Sequence, residues 1–143
     1  MLPLVLQNVC FSVATGRQIV DDVSFTIDVS GCTVLLGPNG AGKTSVLKLC
    51  HGLITPTVGS VRWGSLADTD ARRRQAMVFQ KPVLLRRSAR ANINHALGIC
   101  GVHARDRITR INHALDWAGL TAIADAPARK LSGGEQQILS IAR

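Results

Sequence analysis

Gly37-Pro38-Asn39-Gly40-Ala41-Gly42-Lys43-Thr44 stands directly after a short apolar run, Thr33–Leu36, and directly before a segment with helical spacing. It matches G-x-x-x-x-G-K-[ST], the strand–loop–helix motif that cradles phosphates. Each residue type serves that chemistry. Glycines reach positive φ and let the backbone approach phosphate oxygens, so that consecutive amides point inward as an anion nest. The helix that follows adds roughly half a positive charge at its N-terminus. Lys43 is the point charge expected on the β- and γ-phosphates, the Thr44 hydroxyl is the expected magnesium ligand, and Ser45 sits beside it. By itself the loop implies a nucleotide and leaves a kinase, a GTPase or a motor open.

Working outward, Leu4–Phe11 and Val20–Ile27 alternate apolar and polar positions about a Thr15-Gly16 turn, which predicts two strands of an antiparallel ribbon. Thr33–Leu36 reads as a strand covered on both faces. A helix is expected from about Gly42 to Cys50, burying Val46, Leu47 and Leu49. Val58–Trp63 and Ala76–Phe79 read as further strands with a basic turn or short helix between them. Beyond Pro82 the spacing becomes helical: Ser88 can cap a helix to about Leu97, and Ala104–Trp117 repeats Ile108, Ile111 and Leu115 on one face. Gly133–Arg143 continues as a helical pattern with no terminating cap.

Composition narrows the classes. The chain has 143 residues, one domain's worth, with 46% hydrophobic and 18% charged residues, a globular balance. Its longest apolar runs, Cys32–Leu36 and Ala76–Phe79, fall far short of the roughly 20 residues that span a bilayer. Met1-Leu2-Pro3-Leu4 lacks the basic and apolar regions of a secretory signal, so the cytoplasm is expected. Cys10, Cys32, Cys50 and Cys100 are scattered, and no histidine falls at metal-ligand spacing, so neither a zinc site nor a disulfide framework is expected. Seventeen basic against nine acidic residues give a formal charge of +8, clustered at Arg72–Arg74 and at Arg86, Arg87 and Arg90. Five aromatic side chains are too few to interleave with these as a base-stacking platform, so the arginines read as a solvated face and nucleic acid is not an expected partner.

Leu131-Ser132-Gly133-Gly134-Glu135-Gln136-Gln137 decides among the nucleotide binders. With the phosphate loop before it, this string resembles the LSGGQ-type signature of ATP-binding-cassette (ABC) ATPases, and the resemblance runs through essentially the whole chain. It implies an α/β fold: a P-loop NTPase (RecA-like) core with an antiparallel β ribbon and a helical subdomain. The parts would be 1–36 for the ribbon and first core strand, 37–81 for the phosphate loop and nucleotide core, 82–130 for a helical insertion and 131–143 for the signature and its helix. In the family, the signature of one subunit closes over the γ-phosphate on a second subunit's phosphate loop. Ser132, Gly133, Gly134, Glu135 and Gln136 are accordingly expected at the nucleotide. The residues alone agree, since a serine hydroxyl and two glycine amides opening a helix form a second anion site.

Met77-Val78-Phe79-Gln80 resembles the family's Q-loop, which implies that Gln80 is catalytic, reaching magnesium and the attacking water, and that Lys81–Ser88 faces a membrane subunit. The cofactors implied are ATP and Mg2+. The partners implied are a transmembrane permease, a second copy of the ATPase across ATP and a substrate-binding protein, at the inner face of the bacterial membrane. The compact ribbon and short helical region resemble importer subunits, and Gln80–Ser88 resembles that region in oxyanion importers of the tungstate or phosphate type. A soluble ABC protein acting on nucleic acid or ribosomes is the alternative, as is a hydrolysis-incompetent ATP-binding fragment.

Two departures stand out. Where most members stack an aromatic on adenine, near Val13-Ala14, this chain has none, leaving Phe11 as a substitute or adenine weakly held. The Walker B aspartate, catalytic glutamate, D-loop and switch histidine all follow the signature helix in the family, and the sequence stops at Arg143. A piece of an ABC ATPase that neither folds cooperatively nor hydrolyses ATP alone is therefore expected.

Overall fold

A computed structural model describes residues 2–143, which form two compact units divided between Met77 and Val78. In the first, β1 (Leu4–Ser12) pairs antiparallel with β2 (Gln18–Ile27) on one side and with β3 (Val58–Trp63) on the other. The sheet order is β2-β1-β3. Alternation in β1 buries Leu4 and Leu6, and then a bulge resets the period so that Val9 is buried next. The bulge forms at Asn8, whose φ of 46° is matched by 44° at Asp22 across the ribbon. Asparagine and aspartate tolerate this left-handed region better than other side-chain-bearing residues. The Asn8 side-chain amide donates to Asp22 Oδ1 at 2.9 Å, and the Asn8 backbone N–H donates to Ser24 Oγ at 2.8 Å. On the other edge, Gly59 at φ 84° accommodates the bulge, since a Cβ there would collide with the carbonyls of Gln7 and Asn8.

Helix α1 (Lys43–His51) packs Val46 and Leu49 onto Leu4, Leu6, Val9 and Val20 of the sheet. Leu47, expected inside, is 52% exposed, because it falls on the opposite face from Val46 and Leu49. The indole of Trp63 donates to the Cys50 carbonyl at 2.7 Å, tying β3 to the end of α1, and burial pushes the Cys50 thiol up to about 11. A short helix, α2 (Asp68–Arg73), connects β3 onward and leaves Arg72–Arg74 exposed.

Two expected strands do not form. Thr33–Leu36 and Ala76–Phe79 are irregular, with Val34 and Leu36 68% and 84% exposed. Their wholly apolar pattern specifies a strand flanked by other strands and covered on both faces. Among the described residues no strand runs beside either segment, so their backbone groups have no ladder to join.

The second unit is helical: α3 (Ala89–Ile99), α4 (Ala104–Trp117) and α5 (Gly133–Ala142), with 3-10 turns at Thr121–Ile123 and Ala128–Lys130. Ser88 caps α3 by accepting from the Ala91 N–H at 3.2 Å, as expected from its position. Ile93, Ile111, Leu115, Leu120, Leu131 and Leu139 make the core. Ile108, expected on the buried face of α4, is 69% exposed, since the core stripe runs through Ile111 and Leu115 instead.

Candidate nucleotide-binding site

The phosphate loop ends on Gly42, which precedes α1 with φ 81°. A Cβ at Gly42 would lie 2.6 Å from the Ile19 carbonyl oxygen of β2, so glycine is required both by the left-handed backbone and by the close approach. β2 thereby sets where the loop turns into the helix. The Ala41 N–H donates to the Pro38 carbonyl at 3.3 Å, and Val46 N–H to the Gly42 carbonyl at 2.9 Å. The Lys43 ammonium folds back over the loop, donating to the carbonyls of Gly37 at 2.8 Å and Pro38 at 2.7 Å. A cation thus sits at the loop's mouth on weak neutral acceptors that phosphate oxygens would readily replace. No side chain caps α1 and its first turn holds no acid, so the helix start itself leaves its N-terminal dipole unneutralised. Gly37, Pro38, Asn39, Gly40, Ala41 and Thr44 are exposed and Ser45 is half-buried.

The second motif opens α5. Ser132 Oγ accepts from the Glu135 N–H at 3.3 Å while a Glu135 carboxylate oxygen accepts from the Ser132 N–H at 2.7 Å, a reciprocal capping box. Hydrogen bonding of the Glu135 carboxyl by Ser132, from its hydroxyl foremost and then from its backbone N–H, holds that carboxyl below its ordinary value. Gly133 and Gly134 occupy the first helical turn with open space around them: a Cβ on either would meet nothing within 4 Å. Gln136 donates its side-chain amide to the Leu131 carbonyl at 2.8 Å, so this donor is committed to the chain's own backbone.

Gln80 is exposed and follows the irregular Ala76–Phe79 segment, so no strand end aims it. The Phe79 carbonyl beside it accepts from the Gln137 side chain at 3.3 Å, which brings the Q-loop region and the signature helix together in one unit. Phe11, the aromatic nearest the expected adenine-stacking position, is half-buried and packs against the sheet core. A Val13–Arg17 turn occupies the ribbon end, with Val13 38% exposed. The oxygen donor at the start of α1, the Thr44 hydroxyl, suits a magnesium ion that arrives on nucleotide phosphates and keeps water ligands, rather than one held in a carboxylate cage. Among the described residues no group of three or more His, Cys, Asp or Glu side chains could hold a metal.

Sequence reading missed Asn92. It is 1% exposed inside α3, with Oδ1 accepting from the Leu85 N–H at 2.9 Å and Nδ2 donating to the Ser88 carbonyl at 2.9 Å. Its signal was available: an asparagine at a core position, between Ala89 and Ile93, must find partners.

A left-handed glycine before a helix, with a lysine over the loop beneath it, defines the phosphate-loop nucleotide-binding class. Solved structures share the fold: the protein cbiO1 of Clostridium perfringens, part of the ABC transporter complex cbiONQ, superposes with a TM-score of 0.81 over 97% of this chain and 59% of its own, at 21% identity. The sequence profile described as ABC transporter matches residues 20–143, and the chain belongs to that family. It is similar to the tungstate uptake system ATP-binding protein of Peptoclostridium acidaminophilum, 33% identical over 90% of this chain and 60% of the relative. The phosphonates import ATP-binding protein of Nitratidesulfovibrio vulgaris is 32% identical over 98% of this chain and 59% of its own length. The chain thus spans about three-fifths of these two relatives.

Proposed function

We propose that this chain is the nucleotide-binding part of an ATPase subunit that couples ATP binding and hydrolysis to import through a bacterial membrane transporter. The observation that carries it is the open N-terminus of α1, uncapped and free of acid, with Lys43 over the loop that leads into it. In this reading Gly37–Ser45 bind the triphosphate, with Lys43 on the β- and γ-phosphates. Thr44 and Gln80 hold magnesium, which would draw charge off the transferred phosphoryl group. Gln80 positions the attacking water. Ser132, Gly133, Gly134, Glu135 and Gln136 of one copy face the nucleotide of another, so the working state is a dimer with two shared nucleotides. Segment 81–88 meets the permease, and a substrate-binding protein delivers cargo from outside. No helix among the described residues is long and apolar enough to cross a membrane, in keeping with a peripheral subunit on a membrane partner. The proposed cargo is an oxyanion, in line with the tungstate and phosphonate named for two relatives.

Equilibrium binding of a fluorescent ATP analogue to the wild-type chain and to Lys43→Ala tests the site; equal affinity would remove the assignment. Deleting the gene and following tungstate and phosphonate uptake tests the cargo, and unchanged uptake of both anions would reject that class.

A further inference from the structure

We propose that the cavity at the C-terminal end of α1 is a binding site for a small carboxylate with an apolar body, held at its charged end by Arg72, Gln75 and His51. Its walls lie within the unit Met1–Met77 and include none of Gly37–Ser45, so the site is separate from the phosphate loop at the other end of the same helix.

The chain's own bonding leaves this cavity of about 240 Å³ unfinished, because two residues on its wall carry buried side-chain nitrogens with no hydrogen-bond partner, His51 Nδ1 and Gln75 Nε2. Buried polar atoms are nearly always bonded, so both need a partner. His51 is the last residue of α1, and Gln75 follows α2, where its N–H donates to the Arg72 carbonyl at 3.3 Å. That turn sets Gln75 and Arg72 three residues apart on one side. The Arg72 side chain lies over Gly52, next to His51, since a Cβ at Gly52 would come within 2.9 Å of Arg72 Nε. Among the described residues Arg72 forms no ion pair, not even with Asp68, which lines the same cavity one turn earlier. An amide nitrogen that can only donate, beside an unpaired guanidinium, selects a charged acceptor, and a carboxylate offers two oxygens to such a pair. His51 adds a third donor as its Nδ1–H tautomer. A cation would find few acceptors here: the Lys48, Leu49 and Cys50 carbonyls already accept from the Leu53 and Gly52 N–H groups and the Trp63 indole. The dipole at the end of α1 opposes an anion, which makes Arg72 the group on which the site depends most. The wall also includes Leu49, Ile54, Val61 and Trp63, an apolar surface that inorganic phosphate would leave wet and a ring or branched chain would cover. A cavity of roughly 150 Å³ takes a benzene ring, so this one has room for a ring and its carboxylate.

Titration of benzoate into the nitrogen-15-labelled full chain, followed by NMR at the Gln75 side-chain amide and the Trp63 indole N–H, tests this, with benzyl alcohol and inorganic phosphate as comparison probes. Benzoate should shift both signals saturably, and each comparison probe should bind about tenfold more weakly or worse. Arg72→Ala, a change at an exposed side chain, should weaken benzoate by about tenfold or more, and Gln75→Leu should weaken it while raising thermal stability, since it removes an orphaned donor. No saturable shift up to about 10 mM benzoate would overturn the site and leave a cavity filled by water only. Equal binding of benzyl alcohol would remove the charged end, equal binding of phosphate the apolar body, and unchanged affinity in Arg72→Ala the assigned anchor. Shifts confined to Gly40–Thr44 would place the benzoate on the phosphate loop and also reject the proposal. ATP does not enter this readout, so a failed Lys43→Ala test and a failed benzoate test are separate results.

Discussion

Helices α1 and α5 both begin at glycines, yet they treat their N-terminal dipoles in opposite ways. Before α1 stands Gly42, with no side-chain cap and no acid in the first turn, so the amides and the Lys43 ammonium await an anion from outside the chain. Before α5 stands Ser132, whose capping box with Glu135 already meets two backbone donors and places a carboxylate at the helix start. The first site can attract a phosphate alone. The second carries its own negative charge, so it draws a free phosphate less strongly. Its open glycines at 133 and 134 leave room for close approach.

The sharpest way to break the comparison is at Lys43. Lys43→Ala should weaken ATP binding by about 1.5–3 kcal/mol, roughly 10- to 150-fold in Kd, by isothermal titration. A comparable loss from Ser132→Ala in the isolated chain would mean that the two helix starts share one anion site within a single copy. Next in size, Gly42→Ala should destabilise the first unit by about 1–3 kcal/mol in urea denaturation, because it forces a left-handed alanine against the Ile19 carbonyl. A smaller cost, about 1 kcal/mol, is expected for Ser132→Ala in the thermal stability of the helical unit through loss of the cap.

That variant also has a pH signature. Glu135 is held below its ordinary value of 4.5 in the folded chain, so the capping box contributes stability above that value and loses it as pH falls through the lowered one. Acid titration of the wild type should show this loss, and Ser132→Ala should flatten it. Smallest is Gly134→Ala, which meets no neighbour within 4 Å and should change stability by less than about 1 kcal/mol, in the favourable direction. A strong destabilisation there would show that the chain itself, and not an approaching partner, requires glycine at that turn.

Reading by period and cap located the β ribbon and the longer helices, though not the 3-10 turns at Thr121–Ile123 and Ala128–Lys130. The Leu4–Phe11 and Val20–Ile27 ribbon pairs with itself, and the Ser88 cap acts within three residues, so local pattern sufficed for them, whereas Ser132, which caps with Glu135, reads in the sequence only as an anion donor. It failed at Thr33–Leu36 and Ala76–Phe79, where a buried-strand pattern depends on neighbours that no residue among those described supplies. Helical spacing likewise could not say which side of α1 or α4 faces inward at Leu47 and Ile108, since a stripe of apolar residues is wider than the face that finds a partner.

The sequence by itself determined the local chemistry of the two helix starts, because both are built from contiguous residues: glycines, a lysine and a hydroxyl along one loop, and a serine with its glutamate three positions on. Tertiary structure alone decided what those sites are attached to. Gly42 is pressed against β2, and backbone bonds from Ala128 to Arg87 and from Arg90 to Ala124 join segments far apart in the chain. Hydrogen bonds that satisfy buried backbone can be drawn from any element that folds alongside, and such choices leave no period in the sequence to read.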